Sequence, residues 1–105
     1  HVMDLADGHI KALEWLDFNS LNRNVEVFNL GTGKPVSVLE LINTFIEVTG
    51  ISIDYEFAPR RAGDLDSFWA DVTKANDLLG WKTRFDLKQM IIDSWNWQLK
   101  NPNGY

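Results

Sequence analysis

The chain has 105 residues, no cysteine and a formal net charge of −5, with 45% hydrophobic and 24% charged residues. That composition is globular and fits one domain, residues 1–105; it excludes disorder, disulfides, zinc–thiolate sites, a thiol nucleophile and a broad nucleic-acid surface. No apolar run reaches the roughly 20 residues of a membrane span and no signal-peptide pattern opens the chain, so with cysteine absent a cytoplasmic location is expected.

Residues 3–18 read as a helix, because Leu5, His9, Ala12, Leu13 and Leu16 follow the spacing of one buried face. Asp4 and Asp7 stand near its start, where the helix dipole favours negative charge. Asn19–Asn24 reads as a polar loop, and Val25–Leu30 as a short strand closed by Gly31-Thr32-Gly33. A second helix starts at Ser37, whose capping-box partner is Glu40, and stops at Gly50. Its apolar stripe is Val38, Leu39, Ile42, Phe45 and Ile46.

Ile51, Ile53, Tyr55 and Phe57 alternate with polar residues as in a half-buried strand. Strand, helix and strand in that order imply a right-handed crossover and parallel pairing. Residues 59–68 show no period and read as a loop. Asp71 is placed to cap a short helix that runs through Leu79 and ends at Gly80. A last helix opens on Asp86 with Gln89, carries Leu87, Met90, Ile91, Trp95 and Leu99 on one stripe, and ends at Asn101-Pro102. The expected fold class is mixed α/β: a small parallel sheet of two or three short strands packed with about four helices.

The Gly31-Thr32-Gly33 turn lies between a predicted strand and a predicted helix, with Asp54 about twenty residues on, as in a dinucleotide fingerprint. Val36 stands where a third glycine is needed and Pro35 removes an amide, so an ordinary tight turn is the stronger reading. With two histidines, His1 and His9, and no cysteine, no metal site and no Ser/His/Asp catalytic set is expected. The remaining candidate is the loop Ala58-Pro-Arg-Arg-Ala-Gly-Asp-Leu-Asp-Ser-Phe68. Residues 1–57 carry a net −6 and residues 58–105 a net +1, and Arg60-Arg61 is the chain's one adjacent cationic pair. Guanidinium forks match phosphate oxygens, Asp64 offers an acceptor to sugar hydroxyls, and Gly63 permits a sharp turn. Surface ion pairing with the acidic first half of the chain is the competing reading of the same cations, and Asp64 and Asp66, lying in an arginine-bearing loop, are not expected to do acid–base work.

The segments His1-Val-Met-Asp-Leu-Ala-Asp-Gly-His9, Asn29-Leu-Gly-Thr-Gly33, Ala58-Pro-Arg-Arg-Ala-Gly-Asp64, Trp69-Ala-Asp71, Lys74-Ala75, Leu79-Gly-Trp81 and Trp95 through Tyr105 occur in one order. Together they resemble the C-terminal part of the UDP-glucose 4-epimerase family, which belongs to the extended short-chain dehydrogenase/reductases, over essentially the whole chain. The resemblance implies an NAD-dependent parent enzyme that interconverts UDP-glucose and UDP-galactose through a 4-keto intermediate. It also implies that the NAD-binding domain precedes the matched region, that the parent is a homodimer, and that this chain is the substrate-binding lobe. Neither Tyr55 nor Tyr105 has a lysine four residues later, and no Gly-x-x-Gly-x-x-Gly occurs, so no catalytic and no NAD-binding residue is expected here and the chain alone is expected to be inactive. On the resemblance, Arg61 contacts the diphosphate, Asp64 holds the uridine ribose, and Phe68 replaces a frequent tyrosine at the wall of the sugar pocket. A bulky side chain there is expected to disfavour N-acetylated sugars. A free-standing interaction module on the same scaffold, or the lobe of another nucleotide-sugar epimerase or dehydratase, is the alternative.

Overall fold

The computed structural model describes residues 1–19 and 25–104, so most of the expected Asn19–Asn24 loop lies outside the described residues. Four helices follow in order: α1 (Val2–Asn19), α2 (Val38–Thr49), α3 (Thr73–Leu79) and α4 (Leu87–Lys100). The chain divides into two compact units. The first holds His1–Pro35 and Trp69–Phe85; the second holds Val36–Phe68 and Asp86–Tyr105.

The local start and stop signals position α2 and α4 as expected. The Ser37 hydroxyl accepts the Glu40 amide at 3.0 Å, and the Asp86 carboxylate accepts the Gln89 amide at 2.9 Å. Gly50 and Gly80 end α2 and α3 in the left-handed conformation, which glycine adopts without steric cost. Asp71 caps one residue outside its helix: it accepts the Thr73 amide at 3.0 Å while Val72 holds the N-cap position, and that hydrogen bond lowers the Asp71 pKa. Replacing Ser37 or Asp86 with alanine is expected to cost about 1 kcal/mol each in urea denaturation, whereas glycine at either position should cost only a few tenths. An alanine variant as stable as the natural sequence would show that the side-chain bond contributes nothing.

In the first unit α1 packs against α3. Ala75, Leu79 and Trp81 form its buried cluster, with Ala12, Trp15, Phe28 and Leu30 packed against it. The face that α1 buries differs from the expected one. Asp4 and Gly8 are its buried residues, while Leu5 is 47% and Leu13 65% exposed. Gly8 is there because nothing larger fits: a Cβ would lie 2.7 Å from Leu30 Cδ1 and 3.2 Å from the Trp81 indole nitrogen. That indole donates to the Asp4 carbonyl at 2.9 Å. The Asp4 carboxylate in turn accepts the amides of Arg84 and Phe85 through Oδ2, at 3.0 and 3.1 Å. Its Oδ1 has no hydrogen-bond partner and is answered by the Arg84 guanidinium, whose Nε lies 3.5 Å away.

In the second unit α2 packs against α4. Ile91 is its buried residue on α4, and the Phe45 and Trp95 rings meet edge to face with centroids 5.2 Å apart. Lys88 forms an ion pair with Glu47 across the same two helices, and that hydrogen bond raises the lysine pKa.

The expected sheet is not found: the described residues contain no β-strand, and the fold they show is helical. A strand exists only where its backbone pairs with a neighbour, and alternation in sequence cannot supply that neighbour. Residues 25–30 and 51–57 fall in different compact units. In the first segment the Val27 amide donates to the adjacent Glu26 carboxylate, and Phe28 and Leu30 serve the Trp81 cluster as single anchors. In the second the alternating apolar residues are largely exposed, Tyr55 at 51% and Phe57 at 82%, with their rings in edge contact.

Candidate functional site: the arginine loop

The second unit carries the loop that follows residues 51–57. The Asp64 amide donates to the Arg61 carbonyl at 3.3 Å, closing a four-residue turn in which Gly63 has φ 89°. That positive φ at the third turn position favours glycine over any residue with a Cβ. The turn brings Arg61 and Asp64 to one place, with Arg61 Nε 3.4 Å from Asp64 Oδ2. Around it, Arg60 and Asp66 form a hydrogen-bonded ion pair. Both expected site residues of the turn are therefore adjacent, and the arginines do form ion pairs, but with acids of their own loop and not with the acidic first half of the chain. Phe68 lies four residues beyond Asp64 and is 81% exposed; no polar or ring contact joins it to the pair among the described residues. The role of Asp66 was not legible as a site feature, since a pair spaced six residues apart depends on the course of the loop.

Chemically, the loop offers guanidinium groups in water with carboxylates close by. It suits recognition of an anion bearing hydroxyls, and it contains no nucleophile–base pair. Two cavities elsewhere are poorer candidates. One, of about 300 Å³, is lined by Leu41, Phe45, Met90, Trp95 and their neighbours and has no charged side chain. The other, of about 230 Å³, lies in the first unit beside Trp15, Phe28 and Glu26. Glu26 there pairs with Lys74, whose ammonium stands 5.2 Å from the centroid of the Phe28 ring. His9, expected on the inner face of α1, is exposed, and its Nδ1 donates to the Leu5 carbonyl at 2.8 Å. Among the described residues, no group of three or more His, Cys, Asp or Glu is placed to hold a metal ion. None of their helices is long and apolar enough to cross a membrane.

No family model matches the chain. Individual proteins do match. It is 48% identical over 105 residues to UDP-glucose 4-epimerase from Yersinia pestis and equally so to that from Bacillus subtilis, in each case over 100% of this chain and 30% of the relative. From end to end, the chain matches UDP-glucose 4-epimerase. The bifunctional UDP-glucose and UDP-xylose 4-epimerase of Pisum sativum is 47% identical over the same length. A solved UDP-glucose 4-epimerase from Stenotrophomonas maltophila, with bound NAD and formylated UDP-arabinopyranose, superposes with a TM-score of 0.86 at 43% identity. It covers 95% of this chain, which in turn covers 29% of that structure. The chain thus spans about 30% of the length of the epimerases it matches.

The NAD held by that epimerase structure does not fit the one glycine turn that invited comparison here. A Cβ at Gly31 would lie 3.0 Å from the Ala70 Cβ, and one at Gly33 would lie 3.2 Å from Val72 Cγ2. The space those glycines leave is taken by this chain's own side chains rather than kept open for a pyrophosphate. Helix α2, moreover, begins only at Val38, beyond Pro35, and the Glu40 amide in its first turn is spent on the Ser37 hydroxyl.

Proposed function

We propose that the chain is the C-terminal, UDP-sugar-binding lobe, residues 1–105, of a cytoplasmic, dimeric UDP-glucose 4-epimerase. The observation that carries this reading is the end-to-end likeness to epimerases at 48% identity, joined to a turn that sets Arg61 beside Asp64. In it, the Arg61 guanidinium receives the diphosphate, Asp64 accepts hydrogen bonds from the ribose hydroxyls, and Phe68 forms a wall against the sugar. Likeness to a relative named for both UDP-glucose and UDP-xylose leaves the sugar class as UDP-hexose or UDP-pentose. NAD and the tyrosine–lysine pair belong to the remaining part of the epimerase, so hydride transfer needs that part, and this chain contributes binding and orientation.

Because part of the pocket lies elsewhere, the chain by itself should bind weakly. UDP-glucose titrated at micromolar concentration should give little or no heat, and no epimerisation should follow the addition of NAD. At millimolar UDP, the backbone amide resonances of residues 60–68 should shift, and Arg61→Gln should weaken that binding at least fivefold. Micromolar affinity, turnover by the chain alone, or an Arg61→Gln variant that binds UDP unchanged would each sink the reading.

A further inference from the structure

The arginine loop is electrically self-cancelling. Arg60, Arg61, Asp64 and Asp66 sum to zero net charge within seven residues. All four side chains face water, at 59%, 88%, 46% and 87% exposure respectively. The two pairs are not equivalent. Arg61 stands 3.4 Å from Asp64 and keeps most of its surface free, whereas Arg60 is hydrogen-bonded to Asp66. An arriving diphosphate therefore meets one guanidinium that is loosely paired and largely exposed, and one hydrogen-bonded to a carboxylate. Phosphate and carboxylate compete for the same planar fork, and Asp66 adds a like charge to repel the newcomer.

We propose that Asp66 is a competitor built into the binding loop: it occupies Arg60 when no ligand is present, and a diphosphate must displace it to recruit the second arginine. The proposal rests on the reading of this loop as the UDP-sugar site and adds a residue that sets its affinity. A residue that merely held the loop in shape would give the opposite sign on removal, because disordering the loop weakens binding. Competition predicts a gain. The pair is exposed, where ion pairs are weak and screened by salt, so the gain is moderate and largest at low ionic strength.

The test is an amide-resonance titration of the 105-residue chain with UDP, and with inorganic pyrophosphate, at low salt. Asp66→Asn should bind both roughly two- to fivefold tighter than the natural sequence. Uridine, which lacks the phosphates, should bind both forms alike. In an Arg60→Gln background the same Asp66→Asn change should gain less than twofold, because the arginine it releases is gone. Asp66→Ser, which also removes the charge, should repeat the gain. Unchanged or weaker binding by Asp66→Asn and Asp66→Ser overturns the proposal, and so does an undiminished gain without Arg60. If UDP binding is lost in Arg61→Gln while Asp66→Asn gains nothing, the competitor role falls and the UDP-sugar reading stands. If no form binds UDP or pyrophosphate at millimolar concentration, both fall.

Discussion

Trp81→Ala is expected to remove about 3–5 kcal/mol of stability, a large share of the about 5–15 kcal/mol that a domain of this size has in total. The side chain is 1% exposed, forms the centre of the Ala75–Leu79 cluster, and lies against Gly8 of α1. Deleting it opens a cavity and also strands the Asp4 carbonyl that its indole serves. Trp81→Phe separates these effects: it keeps most of the apolar bulk and loses the hydrogen bond, and should cost about 1–2 kcal/mol. Trp69, 55% exposed, is the control, and its alanine variant should stay within about 1 kcal/mol of the natural sequence. Denaturant midpoints measured on the three variants check the ranking. A Trp81→Ala midpoint as close to the parent as that of Trp69→Ala would remove Trp81 from the core.

The second large effect concerns Asp4. Only 1% of its surface is exposed to solvent. Burial is the largest single influence and pushes its pKa up, but the amides of Phe85 and Arg84, the N-terminal ammonium and the Arg84 side chain together outweigh it, and the net shift is downward. A carboxyl whose folded pKa is depressed contributes stability above its unfolded pKa of about 4, and loses that contribution as pH falls through the folded value. Asp4→Ala should therefore cost about 2–4 kcal/mol near neutral pH, since it leaves two amides and a guanidinium without their acceptor. Asp4→Asn retains an oxygen for the amides and should cost less, about 1–2 kcal/mol. The gap between Asp4→Asn and the natural sequence should narrow as pH falls below about 4, where the unfolded chain takes up its proton, and on through the lower pKa of the folded protein. A gap that is constant from neutral pH to about pH 2 would show that the charge of Asp4 contributes nothing.

Helix boundaries were legible because the chemistry that sets them is local. Ser37 and Asp86 each reach an amide three residues on, and Gly50 and Gly80 need no distant partner to turn left-handed. The inward face of α1 was not legible. Hydropathy favours Leu5, Leu13 and Leu16, but Trp81 arrives from 77 residues away with an indole proton to place and room only over a glycine. Asp4, readable from its position as a favourable charge on the helix dipole, serves instead as the acceptor for a distant backbone turn. The extended segments failed as strands for a related reason: alternation describes the side chains, while pairing belongs to another stretch of backbone. For the loop, residue types and Gly63 marked where an anion would bind, and the resemblance singled out Arg61 and Asp64. Which acid neutralises which arginine depended on the fold of the turn itself.

Helix α1 carries Val2, Ile10 and Leu13 at 70%, 56% and 65% exposure, a flank of apolar surface turned to water while an aspartate is turned away from it. Its consequence is one of mass action. Any species that covers that flank in the folded chain and not in the unfolded one would add RT ln(1 + [L]/Kd) to the free energy of unfolding, about 2.7 kcal/mol at a hundred times its Kd. The melting temperature of this chain is then not a constant of the sequence. It should rise with protein concentration if copies cover one another, and the increment is a direct readout of how much of the fold's stability is held in trust by its surroundings.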